Sequence, residues 1–304
     1  MALTRESRTA WPDGRRSCVM LAFDVDGPSG GAMVDGSIWR MPRLFAQGAY
    51  GPFRAVPRIL DLLERTGVAA TFFVPSWVVE HWPAVCRDIL ASGHEVGHHG
   101  YKHERYADLD VPAQVEVLDR SQAIFEEHLG VVARGFRTPT GDWHPETPRL
   151  LAQRGFLYSS SFRDDDRPYR RVIGGAVSDL VEIPAPVELD DYAYFAFTEE
   201  PPFPKGHDRI AAYRVALSNW CKEFDGTHRV GGLLTTTFHP KVSATPGRAV
   251  VLERFVEHMV AAGECWFATG TEVARWVLAH PDGFAVRGEA SPGGAIAGTP
   301  GPGA

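Results

Sequence analysis

Cysteine is scarce. Cys18, Cys86, Cys221 and Cys265 are the only four in 304 residues, they lie far apart, and no C-x-x-C occurs. That excludes a disulfide scaffold and leaves four reduced, mostly structural thiols. No stretch approaches the ~20 consecutive apolar residues of a membrane span. No long basic run offsets the formal net charge of −7, which argues against a nucleic-acid partner. The first residues, MALTRESRTAWPDGRRS, lack the apolar core of a signal peptide, so the expected location is cytoplasmic. No G-x-G-x-x-G fingerprint is present. What remains is a chain with 44% hydrophobic and 23% charged residues, ordinary for a soluble globular protein. Its length suits one large α/β domain or two small ones.

Short apolar runs alternate with amphipathic stretches. CVMLAFDVD (18–26) reads as a buried strand ending in acids, and RAVPRILDLLERTG (54–67) as a helix closed by glycine. VAATFFVP (68–75) is strand-like, WPAVCRDILASG (82–93) helical, and HEVGHHG a strand with its exit loop. VPAQVEVLDRSQAIFEEHLG (111–130) is a long helix, ARGFRTP (133–139) a short strand, HPETPRLLAQRG (144–155) a helix and FLYSSS (156–161) a strand. Alternation at this pace implies βαβ units and a largely parallel sheet. Six to eight such units favour a barrel over a dinucleotide-binding fold. Barrel active sites lie at the C-terminal strand ends. Two regions break the rhythm. Residues 27–53 predict a long loop, a candidate lid or oligomer contact, and the Gly/Pro/Ala-rich residues 284–304 a disordered tail. The expected domain therefore spans 18–283, after an N-terminal extension of 1–17.

GHEVGHHGYKHE (93–104) crowds His94, His98, His99 and His103 into twelve residues. His99 and His103, four apart, would share one face of a helical turn and could chelate one metal. Taken alone, such a pair is more often bland. A catalytic divalent site uses three protein ligands and an open position. The third would be a carboxylate or histidine at a neighbouring strand end, and LAFDVDGP offers Asp24 and Asp26. Carboxylates ending a buried strand are costly unless paired, although an ordinary acidic turn has the same spelling. In LLTTTFHP (233–240) a β-branched run leads into His239, placed as an acid or base or simply as a loop histidine.

Together FDVDGP, GHEVGHHGYKHE, GFRTPTGDW and TTTFHPKVSATPGR resemble the polysaccharide deacetylase superfamily. The likeness is strongest to the branch of peptidoglycan-deacetylase-like proteins, cyclic imide hydrolases and cofactor-independent allantoinases. LVEIPAPVELDDYAYF (180–195) resembles that branch in particular, and the likeness spans about 18–275. It implies a distorted (β/α) barrel and one divalent metal held by Asp26, His99 and His103. By position Asp24 matches the catalytic base, Arg137 the arginine that orients it, and His239 the general acid. The adjacent Asp-Asp of the family is split here by Val25, as in the imidase-like branch. The family's later motif of aspartates and an aromatic, which backs the acid histidine, is not evident. SSSFRDDDRPY stands in that region and leaves the partner of His239 open.

Two imidazoles and a carboxylate favour Zn2+, with Co2+, Ni2+ or Fe2+ able to replace it, and no organic cofactor is called for. A backbone N–H near Thr140 is a candidate second donor to the oxyanion. Trp143 is a candidate pocket wall, or else core. Asp190 and Asp191 are candidate substrate contacts, while His94 and His98 suit structural roles. The leading expectation is a metal-dependent hydrolase of C–N bonds in a small amide, imide or ureide. A deacetylase of N-acetyl sugars or peptidoglycan fragments is the alternative, and a catalytically silent module of the same fold is the third. The branch implies homo-oligomers. All of this depends on one carboxylate from the first strand meeting the two imidazoles around a single cation.

Overall fold

Ser17–Asp24 (β1) is buried along its whole length in the computed structural model, which describes residues 11–32, 36–196 and 210–288. A strand with no polar face needs cover on both sides. β2 (Ala70–Val74) and β8 (Leu233–Thr235) run parallel to β1, and β9 (Cys265–Phe267) pairs with its first residues. Phe23 of β1 stacks on Phe72 of β2 with centroids 5.1 Å apart, inside a core that also takes in Trp220, Phe238 and Phe255. Burying each such ring is worth roughly 1.5–3 kcal/mol.

From β2 the sheet continues through β3 (Glu95–His98), β4 (Gly135–Phe136), β5 (Tyr158–Ser159) and β7 (Ala176–Glu182), every pair parallel. β6 (Tyr169–Ile173) forms an antiparallel hairpin with β7, and β10 (Ala285–Arg287) adds a parallel edge to β6. Helices Val56–Thr66, Pro83–Ala91, Val111–Leu129 and Thr147–Gln153 connect the parallel strands, and Gly67 and Gly130 close two of them in the left-handed conformation, as their spelling predicted. The sheet curls on itself. After β7 the chain crosses to the far edge, where Thr237 donates to the Leu189 carbonyl (2.9 Å) and Asp191 N–H donates to the Thr237 carbonyl (3.2 Å). The result is the expected distorted (β/α) barrel. Tyr158 fills its interior against Gly135, where an added Cβ would lie 2.1 Å from the tyrosine ring.

Register aligns the strand exits. Asp24 pairs with Phe73, Phe73 with Gly97, Val74 with His98, and His98 with Phe136. The residues that follow, Asp26, His99, Arg137 and Ser160, therefore emerge at one end of the barrel.

Three expectations change. Residues 27–53 are not a loop: helices Ser29–Ala32 and Pro42–Tyr50 and a 3-10 turn at Gly36–Arg40 occupy most of it. Trp39 and Phe45 anchor the segment against Trp77, with centroids at 4.7 and 6.4 Å. The ordered body also passes the boundaries drawn at 17 and 283. Trp11 is buried and its indole donates to the Gly231 carbonyl (3.0 Å), and β10 uses the first residues assigned to the tail. Residues 289–304 lie outside the described residues. Finally, 99–103 is a turn rather than helix, for reasons that belong to the site.

Candidate metal centre

The segment His99–His103 contains Gly100 at φ +73° and His103 at φ +62°, left-handed values incompatible with a helix. The Glu104 carboxylate caps the turn by accepting from Tyr101 N–H (2.9 Å) and Lys102 N–H (2.7 Å). Both imidazoles are thereby folded toward the end of β1, their centroids 4.9 Å apart. His99 Nδ1 lies 2.8 Å from the Arg137 carbonyl. A carbonyl only accepts, so Nδ1 carries the proton and Nε2 presents its lone pair. That Nε2 is 3.6 Å from Asp26 Oδ1, and His103 Nε2 is 3.7 Å from the same oxygen.

These separations are too long for hydrogen bonds. They suit ligands around one ion: bonds of about 2.0–2.1 Å at tetrahedral angles set donors roughly 3.4 Å apart. Asp26 Oδ1 is buried and accepts no hydrogen bond, an orphan that a cation would satisfy. Burial alone would raise the Asp26 pKa. The Lys241 ammonium, 3.2 Å from Oδ2, and the surrounding imidazoles outweigh it and hold the carboxyl well below its usual range. Burial first, then the neighbouring charges of His99 and Lys241, pushes His103 down to about 3 against the pull of Asp26. Neutral imidazoles and an ionised carboxylate are the ligating forms. The donor set thus fits a divalent ion.

Asp24 flanks this cluster on one side. Its Oδ2 is 3.9 Å from His99 Nε2, and its Oδ1 accepts from Arg137 Nη1 at 2.8 Å. Arg137 is fixed in turn. Its Nε donates to the Ser160 carbonyl (3.0 Å), Nη2 to Ser160 Oγ (2.9 Å), and its guanidinium lies over Phe73. His239 flanks the other side, with Nε2 3.9 Å from Asp26 Oδ2. Its Nδ1 meets Asp191 Oδ1 at 2.6 Å. Burial would lower the His239 pKa, but Asp191 above all, then Asp26 and Asp190, hold it well above the ordinary 6.5. The Asp191 carboxylate thus favours the protonated ring beside the ligand cluster.

Asp191 corrects one expectation. It is fully buried, not at the substrate, and its Oδ2 accepts from His239 N–H (2.8 Å) and from Ser243 Oγ. It is the partner of His239 that the sequence left open. Trp143 corrects another. It packs on Phe162 (4.8 Å) and Phe136 in the core, under the Arg171 guanidinium, and does not wall the pocket. Thr140 and Asp190 do line the cavity, Thr140 from a turn at φ +73° and Asp190 from the segment that closes the barrel. His98 is buried among Phe125, Phe136 and Phe156 and accepts from Gly100 N–H, a structural role, with burial pushing its pKa to about 3. Sequence reasoning missed Lys241, Glu104 and Ser160. The first two sit beside His239 and His103 in the same motifs, and that adjacency was the available signal.

The cluster opens into a cavity of about 1080 Å³. Ile38, Leu44 and Tyr50 of the 27–53 segment, with Val187, Phe195 and Ile210, supply its apolar walls.

A carboxylate and two imidazoles at the mouth of a curled (β/α) barrel, flanked by an Asp–Arg pair and a His–Asp pair, define a hydrolase site of the deacetylase type. The chain belongs to the polysaccharide deacetylase family. The family model described as polysaccharide deacetylase matches residues 45–159. A Mycobacterium smegmatis structure assigned as a polysaccharide deacetylase is 34% identical, covering 96% of this chain and 99% of that one at a TM-score of 0.88. The peptidoglycan deacetylase of Helicobacter pylori is 27% identical over 257 residues, 77% of this chain and 87% of that protein. The Puue allantoinase structure, 24% identical and covering 91% of this chain and 95% of that one at a TM-score of 0.75, shares the fold.

Proposed function

We propose that the chain is a zinc-dependent hydrolase that opens an amide or imide C–N bond in a small molecule. The supporting observation is the placement of a fixed carboxylate, Asp24, and an Asp191-backed imidazole, His239, on opposite sides of the Asp26–His99–His103 cluster. Held by Asp26, His99 and His103, a divalent ion would lower the pKa of coordinated water from 15.7 to about 7 and polarise a carbonyl. Asp24, aimed by Arg137, accepts the proton of the attacking water. Its second oxygen faces His99 and the cluster and is left free of Arg137 for that proton. His239 then gives its Nε2 proton to the departing nitrogen while Asp191 keeps Nδ1 protonated and the ring oriented. Asp190 and Thr140 line the cavity and are the residues from which substrate contacts are expected.

Helical cover from the 27–53 segment and the apolar walls favour a small ring or acyl group over a polymer lying in a groove. Among the described residues no helix is long and apolar enough to cross a membrane. A cytoplasmic enzyme acting on a dissolved metabolite, assembled as a homo-oligomer, belongs to the same proposal. The second reading, N-deacetylation of a sugar, draws on the Helicobacter pylori relative. Purified protein supplied with zinc is assayed on hydantoin, dihydrouracil, succinimide, allantoin and N-acetylglucosamine oligomers. Ring opening of a cyclic compound is the expected result. Acetate release from the oligomers alone selects the second reading. Stoichiometric zinc with no turnover of any compound in this panel or its carboxylated counterparts marks a silent module.

A further inference from the structure

The cavity carries more positive charge than the reaction uses. Five lysine and arginine side chains line it against three carboxylates, Asp24, Asp26 and Asp190, in a chain whose net charge is −7. Arg137 and Lys241 are committed to Asp24 and Asp26, and Arg163 lies 3.6 Å from Asp190. Arg43 rises from the helix over the cavity. Arg248 is the informative member. Its Nη1 donates to the Val242 carbonyl (3.1 Å), and its guanidinium lies 5.1 Å from the centre of the Phe195 ring. Val242 is three residues past His239, in the short helix Pro240–Ser243, so the anchor is tied to the acid histidine. Among the described residues no carboxylate ion-pairs with Arg248, and its Nε is buried without an acceptor.

An arginine fixed at one edge and on one face, lining a cavity, and without a carboxylate partner among the described residues is poised to take one from the ligand. It also sits in the first turn of helix Pro246–Ala262, where the aligned peptide dipoles add to its field and where Thr245, itself lining the cavity, makes no side-chain cap. Lys241 and Arg163 offset Asp26 and Asp190, so among the described residues that line the cavity an entering anion meets no uncompensated carboxylate.

We propose that the substrate carries a carboxylate and that Arg248 binds it, setting the distance between that group and the scissile C–N bond. This rests on the hydrolase reading and narrows its substrate to acidic amides or imides. The test pairs compounds that differ by one carboxylate, dihydroorotate with dihydrouracil and 5-hydantoinacetate with 5-methylhydantoin, and adds N-acetylmuramate with its methyl ester, which differ by the negative charge. Binding is measured by calorimetry and turnover by ring opening or acetate release, on zinc-loaded wild type, Arg248→Gln and Arg248→Lys.

Wild type should favour the acidic member of one pair at least tenfold in kcat/KM. Arg248→Gln should erase that preference, mainly through KM, and leave the neutral member within twofold. Arg248→Lys should recover part of it, which separates lost charge from a damaged fold. Equal use of both members by wild type, or an equal loss on both in Arg248→Gln, overturns the carboxylate site while the hydrolase stands. Arg248-dependent binding of the acidic member without turnover sinks the hydrolase reading and keeps the site. Neither binding nor turnover of any acidic member overturns the inference.

Discussion

Asp24 and Asp26 leave the same strand end two residues apart, yet their surroundings assign them different losses. Asp26 Oδ1 faces two imidazoles and accepts no hydrogen bond, so Asp26→Ala or His103→Ala should abolish both metal content and turnover. Asp24 is held by Arg137, and Asp24→Asn should keep about one ion per chain while turnover falls roughly 10²–10⁴-fold, the range expected of a lost general base. Elemental analysis beside steady-state kinetics separates the two, and a metal-free Asp24→Asn would undo the division of roles. His239 gives a test by pH. Its proton is held by Asp191, Asp26 and Asp190. Asp191→Asn removes the strongest of these pulls, so the alkaline limb of the kcat/KM profile should move to lower pH. A limb that stays in place would show that another group donates. The same shift has a stability consequence. The folded pKa lies above the unfolded value near 6.5. The His239–Asp191 pair therefore stabilises fully below that pH, and its contribution fades as pH rises through the folded pKa.

At the scale of an element, the turn 99–103 shows what spelling carries and what it does not. Four-residue spacing of His99 and His103 correctly paired the two imidazoles but named a helix. The left-handed Gly100 and His103 and the Glu104 cap bring them together instead. Glu104→Ala should loosen the turn, lowering zinc affinity about 10–100-fold, the usual effect of removing support behind a ligand, with little change in melting of the stripped protein. Unchanged affinity would mean that the strand ends alone hold the ligands. Strands β1, β2 and β3 and the glycine-closed helices were legible because uninterrupted apolar runs and 3.6-residue periodicity are local. The Asp26–His99–His103 meeting was legible because each ligand directly follows a recognisable strand. The Asp191–His239 contact was not. It joins residues 48 apart through the crossing segment that closes the barrel, and no local pattern in 183–191 records that path. Trp143 was ambiguous for a related reason: an aromatic just past a strand end packs inward or lines the pocket depending on Phe162 and Arg171, which arrive from elsewhere. The 27–53 segment was read as loop from its glycines, while Trp39 and Phe45 found their partner in Trp77, which lies beyond that segment.

For the whole molecule, an ion held by the proposed ligands would be linked to the fold. The three ligands sit at positions 26, 99 and 103, and only the aligned exits of β1 and β3 bring them within 4.8 Å of one another. The unfolded chain offers no such site, so an ion held by the cluster would bind the folded state preferentially and stabilise it by mass action, by about 2.7 kcal/mol at a hundredfold excess over Kd. For a chain of this size that corresponds to several degrees in Tm. Protein stripped with a chelator should therefore melt lower, and added zinc should raise Tm progressively with concentration. Asp26→Ala should show no response to zinc, because its ligand oxygen is gone. Arg248→Gln should respond in full, because Arg248 touches none of the ligands. Differential scanning calorimetry on these proteins, with and without zinc, reads all three directly. Identical melting of stripped and zinc-supplied wild type would mean that the orphaned Asp26 oxygen and its two imidazoles do not hold an ion.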